Sequence, residues 1–95
     1  MPVTAPEATR FDADAAWALH PQVALRPEGF GALAYHYGNR RLVFLKSKAL
    51  VELVTALGDF DSATEALRAL VEPAQCHRYE SALARLAASG VIRAR

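Results

Sequence analysis

Phe30-Gly31-Ala32-Leu33-Ala34-Tyr35-His36-Tyr37-Gly38-Asn39-Arg40-Arg41-Leu42-Val43-Phe44-Leu45-Lys46 is the stretch that decides the fold. Two apolar, aromatic-rich segments flank the dipeptide Gly38-Asn39, a pattern that predicts a tight β-hairpin. Glycine suits the positive φ at the first central position of a type II′ turn, and asparagine tolerates the second. That loop sets Tyr37 opposite Arg40, Tyr35 opposite Leu42 and Leu33 opposite Phe44. Side chains alternate between the two faces of a strand, so Leu33, Tyr35, Leu42 and Phe44 share one face, the expected core face. The other face carries Ala32, Ala34 and His36 on the first strand but Val43 and Leu45 on the second. A strand apolar on both sides is normally covered on both sides. Either a helix of the same domain lies over Val43 and Leu45, or this strand lines a groove whose free backbone edge accepts another peptide.

Upstream of the hairpin, Val23 and Leu25 alternate with Gln22, Ala24 and Arg26 between Pro21 and Pro27. This predicts a short strand in an edge position, where proline is tolerated. Pro27-Glu28-Gly29 predicts a turn with proline at its second position. Residues 1–16 show no apolar period and are expected to form a flexible tail ahead of a domain spanning residues 17–95, with Trp17 and Leu19 anchoring its end by burial.

Downstream of Lys46 the period changes from two to about 3.6. Ser47 is a candidate N-cap for a helix with apolar face Leu50, Leu53, Val54 and Leu57, ended by Gly58. Ser62 followed by Glu65 matches a capping box, with Ala63, Ala66, Leu67, Leu70 and Val71 as the stripe of a second helix that Glu72-Pro73 breaks. A third helix is predicted from Cys76 to Ser89, with Tyr79, Ala82, Leu83 and Leu86 inward and Gly90 as its C-cap. Val91-Ile92 reads as a short extension packing back. The sum is an α+β chain: a three-stranded antiparallel β-meander followed by a three-helix, winged helix-turn-helix-like bundle.

Composition narrows the function classes. Ninety-five residues suit one small domain, and the 53% hydrophobic fraction is alanine-rich without any membrane-length uncharged run. A net charge of +1 gives no strong field for nucleic acid or an anionic membrane. A single cysteine, Cys76, and the lack of a charged-then-apolar leader point to a cytoplasmic protein. His20, His36 and His77 are scattered, Cys76-His77 has no second ligand pair at zinc spacing, and no nucleophile motif or phosphate loop appears. The chain therefore reads as a binding module, with no catalytic residue, metal or cofactor. A DNA-binding regulator of the winged-helix kind is the alternative. The third helix offers it only Arg78 and Arg85, with Glu80 between them, which is thin for phosphate neutralisation.

The segments Trp17 to Glu28 and Phe30 to Ser47 closely resemble the peptide chaperones of mycofactocin biosynthesis, the words His36-Tyr37-Gly38-Asn39-Arg40-Arg41-Leu42 being the most distinctive. That family belongs to the precursor-peptide recognition elements and is similar to the PqqD chaperone of pyrroloquinoline quinone synthesis. The resemblance covers about a third of the chain. It implies that the leader of a ribosomally made precursor binds as an added strand between the third strand and third helix. It also implies delivery to a radical S-adenosylmethionine maturase. Carried onto this sequence, the peptide would meet Arg41, Leu42, Val43, Phe44 and Leu45 on the strand and His77, Arg78, Ser81 and Arg85 on the helix. A homodimer is compatible with this reading.

Overall fold

The computed structural model describes residues 11–95. Among these residues five strands and three helices follow one another as β1 (Trp17–Leu19), β2 (Val23–Glu28), β3 (Gly31–His36), β4 (Leu42–Leu45), α1 (Lys48–Ala56), α2 (Ala63–Leu70), α3 (Cys76–Ala88) and β5 (Ile92–Ala94). Single 3-10 turns at Leu57–Asp59 and Pro73–Gln75 join the helices. The fold is α+β, an antiparallel sheet in the order β2-β3-β4 followed by three helices.

The sheet keeps the expected register. Leu33 pairs with Phe44 and Tyr35 with Leu42. Its loops differ from expectation. The tight two-residue connection lies at Gly29-Phe30, because β2 runs on through Pro27 to Glu28, which faces Gly31. Proline is accommodated there because β2 is an edge strand. The Gly38-Asn39 loop is wider: His36 N–H donates to the Arg41 carbonyl, and Arg40 N–H closes back on the His36 carbonyl. Positive φ falls on Arg40, at +63°, and not on Gly38. Gly38 is required for space instead, since a Cβ there would lie 2.8 Å from the His36 ring. The His36 Nδ1 organises the loop by accepting from the N–H groups of Gly38 (2.9 Å) and Asn39 (3.2 Å).

The core face is the opposite of the one expected from the hairpin pattern. Ala32, Ala34, His36 and Leu45 are buried, whereas Leu42 and Phe44 are more than half exposed and Tyr35 stands at 36%. The physical reason is helix packing. α1 lies across β3, and a helix can approach a strand closely where that strand presents alanine. Leu45 belongs to one buried core with Leu53, Val54, Leu57, Leu83, Val91 and Ile92. Of the two readings of Val43 and Leu45, the one in which a helix of the same domain covers them holds for their side chains.

Local signals place the helices. Ser47 caps α1 by accepting from Leu50 N–H at 3.0 Å, and Ser62 caps α2 by accepting from Glu65 N–H at 3.1 Å. Leu70 leaves the stripe of α2 and is exposed, while Val71 turns in. Gly90, at φ +86°, ends α3 with a paired set of bonds: its N–H donates to the Ala87 carbonyl, and Val91 N–H donates to the Leu86 carbonyl.

A second, two-stranded sheet pairs β1 with β5, Trp17 opposite Ala94 and Leu19 opposite Ile92. It gives Trp17 and the Val91-Ile92 extension their common place. Residues 11–16 reach the core through Phe11, Ala13 and Ala15. The Ala15 and Ala13 carbonyls accept from Ala63 and Thr64 N–H, and the Asp12 carbonyl accepts from the Trp17 indole at 2.7 Å. The rest of the expected tail, residues 1–10, lies outside the described residues.

His20, just after β1, packs against His36 with ring centroids 4.4 Å apart and the ring planes tilted by 49°. Lost hydration, then the neighbouring His36 and Arg93, hold the His20 imidazole below its usual 6.5. The folded state therefore binds fewer protons than the unfolded chain once the pH drops below 6.5. Stability is complete above that pH and declines as the pH falls toward and through the lower folded value. Urea midpoints at about pH 7.5 and about pH 5.5 should fall in that order, and His20→Asn should flatten the difference. An undiminished slope in the variant would assign the effect elsewhere.

Candidate functional site

β4 is the open edge of the sheet, with no strand beyond it among the described residues. The bond from His36 N–H to the Arg41 carbonyl fixes the alternation along this strand. In an antiparallel ladder every second residue directs its backbone groups inward, so Val43 and Leu45 pair toward β3. Leu42 and Phe44 turn their N–H and C=O outward. The free edge therefore consists of two residues.

Beside that edge runs a groove of about 350 Å³ between β4, the start of α1 and α3. Leu50, Tyr79 and Ala82 give it an apolar floor, Phe44 stands at the strand side, and Lys46, Arg78 and Arg85 carry positive charge along its borders. The helical spacing explains the far wall: Arg78, Ala82 and Arg85 follow at four and three residues, one face of α3. The Ser47 hydroxyl joins the two walls, since it caps α1 and lies 3.2 Å from the Tyr79 hydroxyl. Among the described residues the side-chain ion pair is Arg26–Glu28 at 3.2 Å. Lys46, Arg78 and Arg85 thus have no carboxylate within pairing distance there.

Of the residues expected at a peptide site, the structure gathers Phe44, Arg78 and Arg85 in this groove. Leu42 contributes outward backbone, but its side chain lies on the outer sheet face. The Leu45 side chain is wholly buried and that of Val43 packs against the core. Arg41, His77 and Ser81 are exposed and outside the groove lining. Lys46, Ser47, Leu50, Tyr79 and Ala82 were not among the expected contacts. Ser47, Leu50, Tyr79 and Ala82 carry ordinary helix-cap and helix-stripe signals, and only the docking of α3 beside β4 makes them a groove. The lysine closing the β4 segment was the one usable signal.

The sequence profile described as the peptide chaperone MftB family matches residues 16–93. The chain belongs to that family. Relatives called peptide chaperone MftB agree with it over most of its length. The protein of Mycobacterium tuberculosis is 44% identical over 87 residues, covering 90% of this chain and 80% of that protein. That of Mycobacterium ulcerans is 45% identical over 83 residues, covering 86% and 76%. The match to the Mycolicibacterium smegmatis protein is closer but shorter, 54% over 61 residues, covering 64% and 60%. No solved structure matches. Membership in the peptide chaperone MftB family covers both the sheet and α3, the two sides of the groove.

Proposed function

We propose that this chain is a non-catalytic, cytoplasmic peptide chaperone of mycofactocin biosynthesis. It holds the leader of a ribosomally made precursor as a strand added to β4 and hands the precursor to a radical S-adenosylmethionine maturase. The observation that carries this reading is the outward backbone of Leu42 and Phe44 beside an apolar-floored, basic-bordered groove. In β-strand addition, main-chain hydrogen bonds supply affinity, and pockets for alternate side chains supply specificity. Here every second side chain of the guest would enter the groove. An apolar residue suits the Leu50–Tyr79–Ala82 floor, and carboxylates suit Lys46, Arg78 and Arg85. Family membership supports the same reading, since the named relatives are peptide chaperones.

Titration with a synthetic leader peptide and, separately, with duplex DNA tests it. Leader binding should bring new amide protection to Leu42 and Phe44 but not to Val43, whose backbone already pairs with β3. Arg85→Glu should weaken the leader by about 1 kcal/mol or more through lost attraction and new repulsion, while moving stability by less than about 0.5 kcal/mol. Protection confined to β2 would place the guest on the wrong edge. Binding of duplex DNA with no response to the leader would return the chain to the regulator class.

A further inference from the structure

The face of the β2-β3-β4 sheet turned away from the helices carries a group of large apolar side chains that nothing among the described residues covers. Leu33, Tyr35, Leu42 and Phe44 lie on it in two cross-strand rows, Tyr35 beside Leu42 and Leu33 beside Phe44. Tyr37 meets Tyr35 edge-on at 5.1 Å, and Phe30 lies 5.9 Å from the Phe44 ring. A shallow depression of about 400 Å³ opens between β2 and this cluster. Large exposed aromatic and leucine side chains grouped this way mark an interaction surface.

We infer that this outer sheet face is a second docking surface, for a partner protein whose contact area is apolar and edged with carboxylates. The charge distribution selects that occupant. Along residues 22–46 Glu28 is paired with Arg26 at 3.2 Å, which leaves Arg40, Arg41 and Lys46 as unopposed positive charge, in a chain whose net charge is only +1. A second copy docking about a two-fold axis would bring this same basic rim against itself, which opposes a face-to-face homodimer. An acidic-rimmed partner is attracted by it. The surface is also continuous with the groove: Phe44 stands in both, its ring on the outer face and its backbone on the free edge. A partner seated on the sheet therefore touches a strand held on β4. Resting on the function proposed above, that partner is the enzyme that receives the precursor.

Tyr35 separates the two surfaces because it belongs to the central strand and takes no part in the groove. The probes are the maturase and the leader peptide, each titrated against wild type, Tyr35→Glu, Arg26→Glu, Phe44→Ala and Arg85→Glu, all checked for native circular dichroism. Tyr35→Glu is expected to weaken the maturase at least tenfold and leave the leader within twofold. Arg26→Glu should weaken the maturase in the same sense, and it carries the test should Tyr35→Glu misfold. Phe44→Ala should weaken both ligands and Arg85→Glu chiefly the leader. Maturase affinity unchanged by Tyr35→Glu and Arg26→Glu overturns the inference. So does a wild-type dimer that Tyr35→Glu dissolves in sedimentation, or capture of the sheet face by phosphatidylglycerol vesicles with maturase binding unaffected. Failure of the leader to bind wild type would instead sink the groove reading, while the maturase titrations still decide the sheet face.

Discussion

Replacing Gly31 with alanine is expected to destabilise the domain by about 3 kcal/mol or more, among the largest effects of any single methyl group in this chain. Gly31 opens β3 at φ +151°, a region that side-chain-bearing residues rarely adopt. A Cβ built there would run into the Leu45 carbonyl oxygen and lie 2.9 Å from the Ser47 amide nitrogen. Both are backbone atoms at the junction where β4 ends and α1 begins, so neither can rotate away. The substitution would push β4 outward and pull Ser47 from its place as the N-cap of α1 and the partner of the Tyr79 hydroxyl. Thermal unfolding should drop by well over ten degrees, at about 4–8 °C per kcal/mol for a domain of this size. An alanine variant melting within about two degrees of wild type would show that the junction yields, contrary to this account.

Two neighbouring residues should part company under the same test. Leu45→Ala is expected to cost about 2–5 kcal/mol, because its side chain has no solvent exposure and would leave a cavity beneath α1. Phe44→Ala removes a larger side chain but one that is 54% exposed, and should cost less than about 1.5 kcal/mol of stability, mainly from lost contact with Phe30. Its effect belongs to binding: leader affinity should fall by about tenfold. Urea denaturation and calorimetric titration of the two variants separate these outcomes. Comparable stability losses from both would mean that Phe44 is held in the core and that the sheet presents its other face inward.

The sheet was legible in the sequence down to its register, because an alternation of period two leaves few ways to pair Leu33–Tyr35 with Leu42–Phe44. The choice of face was not legible from the same pattern. Ala32 and Ala34 look like the solvent side of a strand when size alone is weighed, yet alanine is what allows α1 to settle on β3. The loop misled for a related reason. Gly38-Asn39 has the composition of a two-residue turn, but the His36 side chain captures two loop amides and moves the positive φ to Arg40. β1 and β5 are three residues each, too short to show a period, and their pairing depends on contacts between distant parts of the chain. Arg78 and Arg85 could be placed together from their seven-residue spacing. Lys46, Leu50 and Tyr79 could not, since what unites them is the placement of α3 across a groove from the end of β4.

An open strand edge is ordinarily a hazard, ready to template pairing with any extended chain, including another copy of itself. β4 contains that hazard by brevity. With four residues, only two of them turned outward, it offers about four backbone hydrogen-bonding groups. A stack of copies joined edge to edge would rest on those few bonds and would crowd Lys46, Arg78 and Arg85 of successive molecules together. On the function proposed above, a short guest with apolar and acidic side chains would meet no such penalty, because the groove would supply what the backbone lacks. The same shortness keeps the open edge from nucleating aggregates, so the molecule can carry it uncovered.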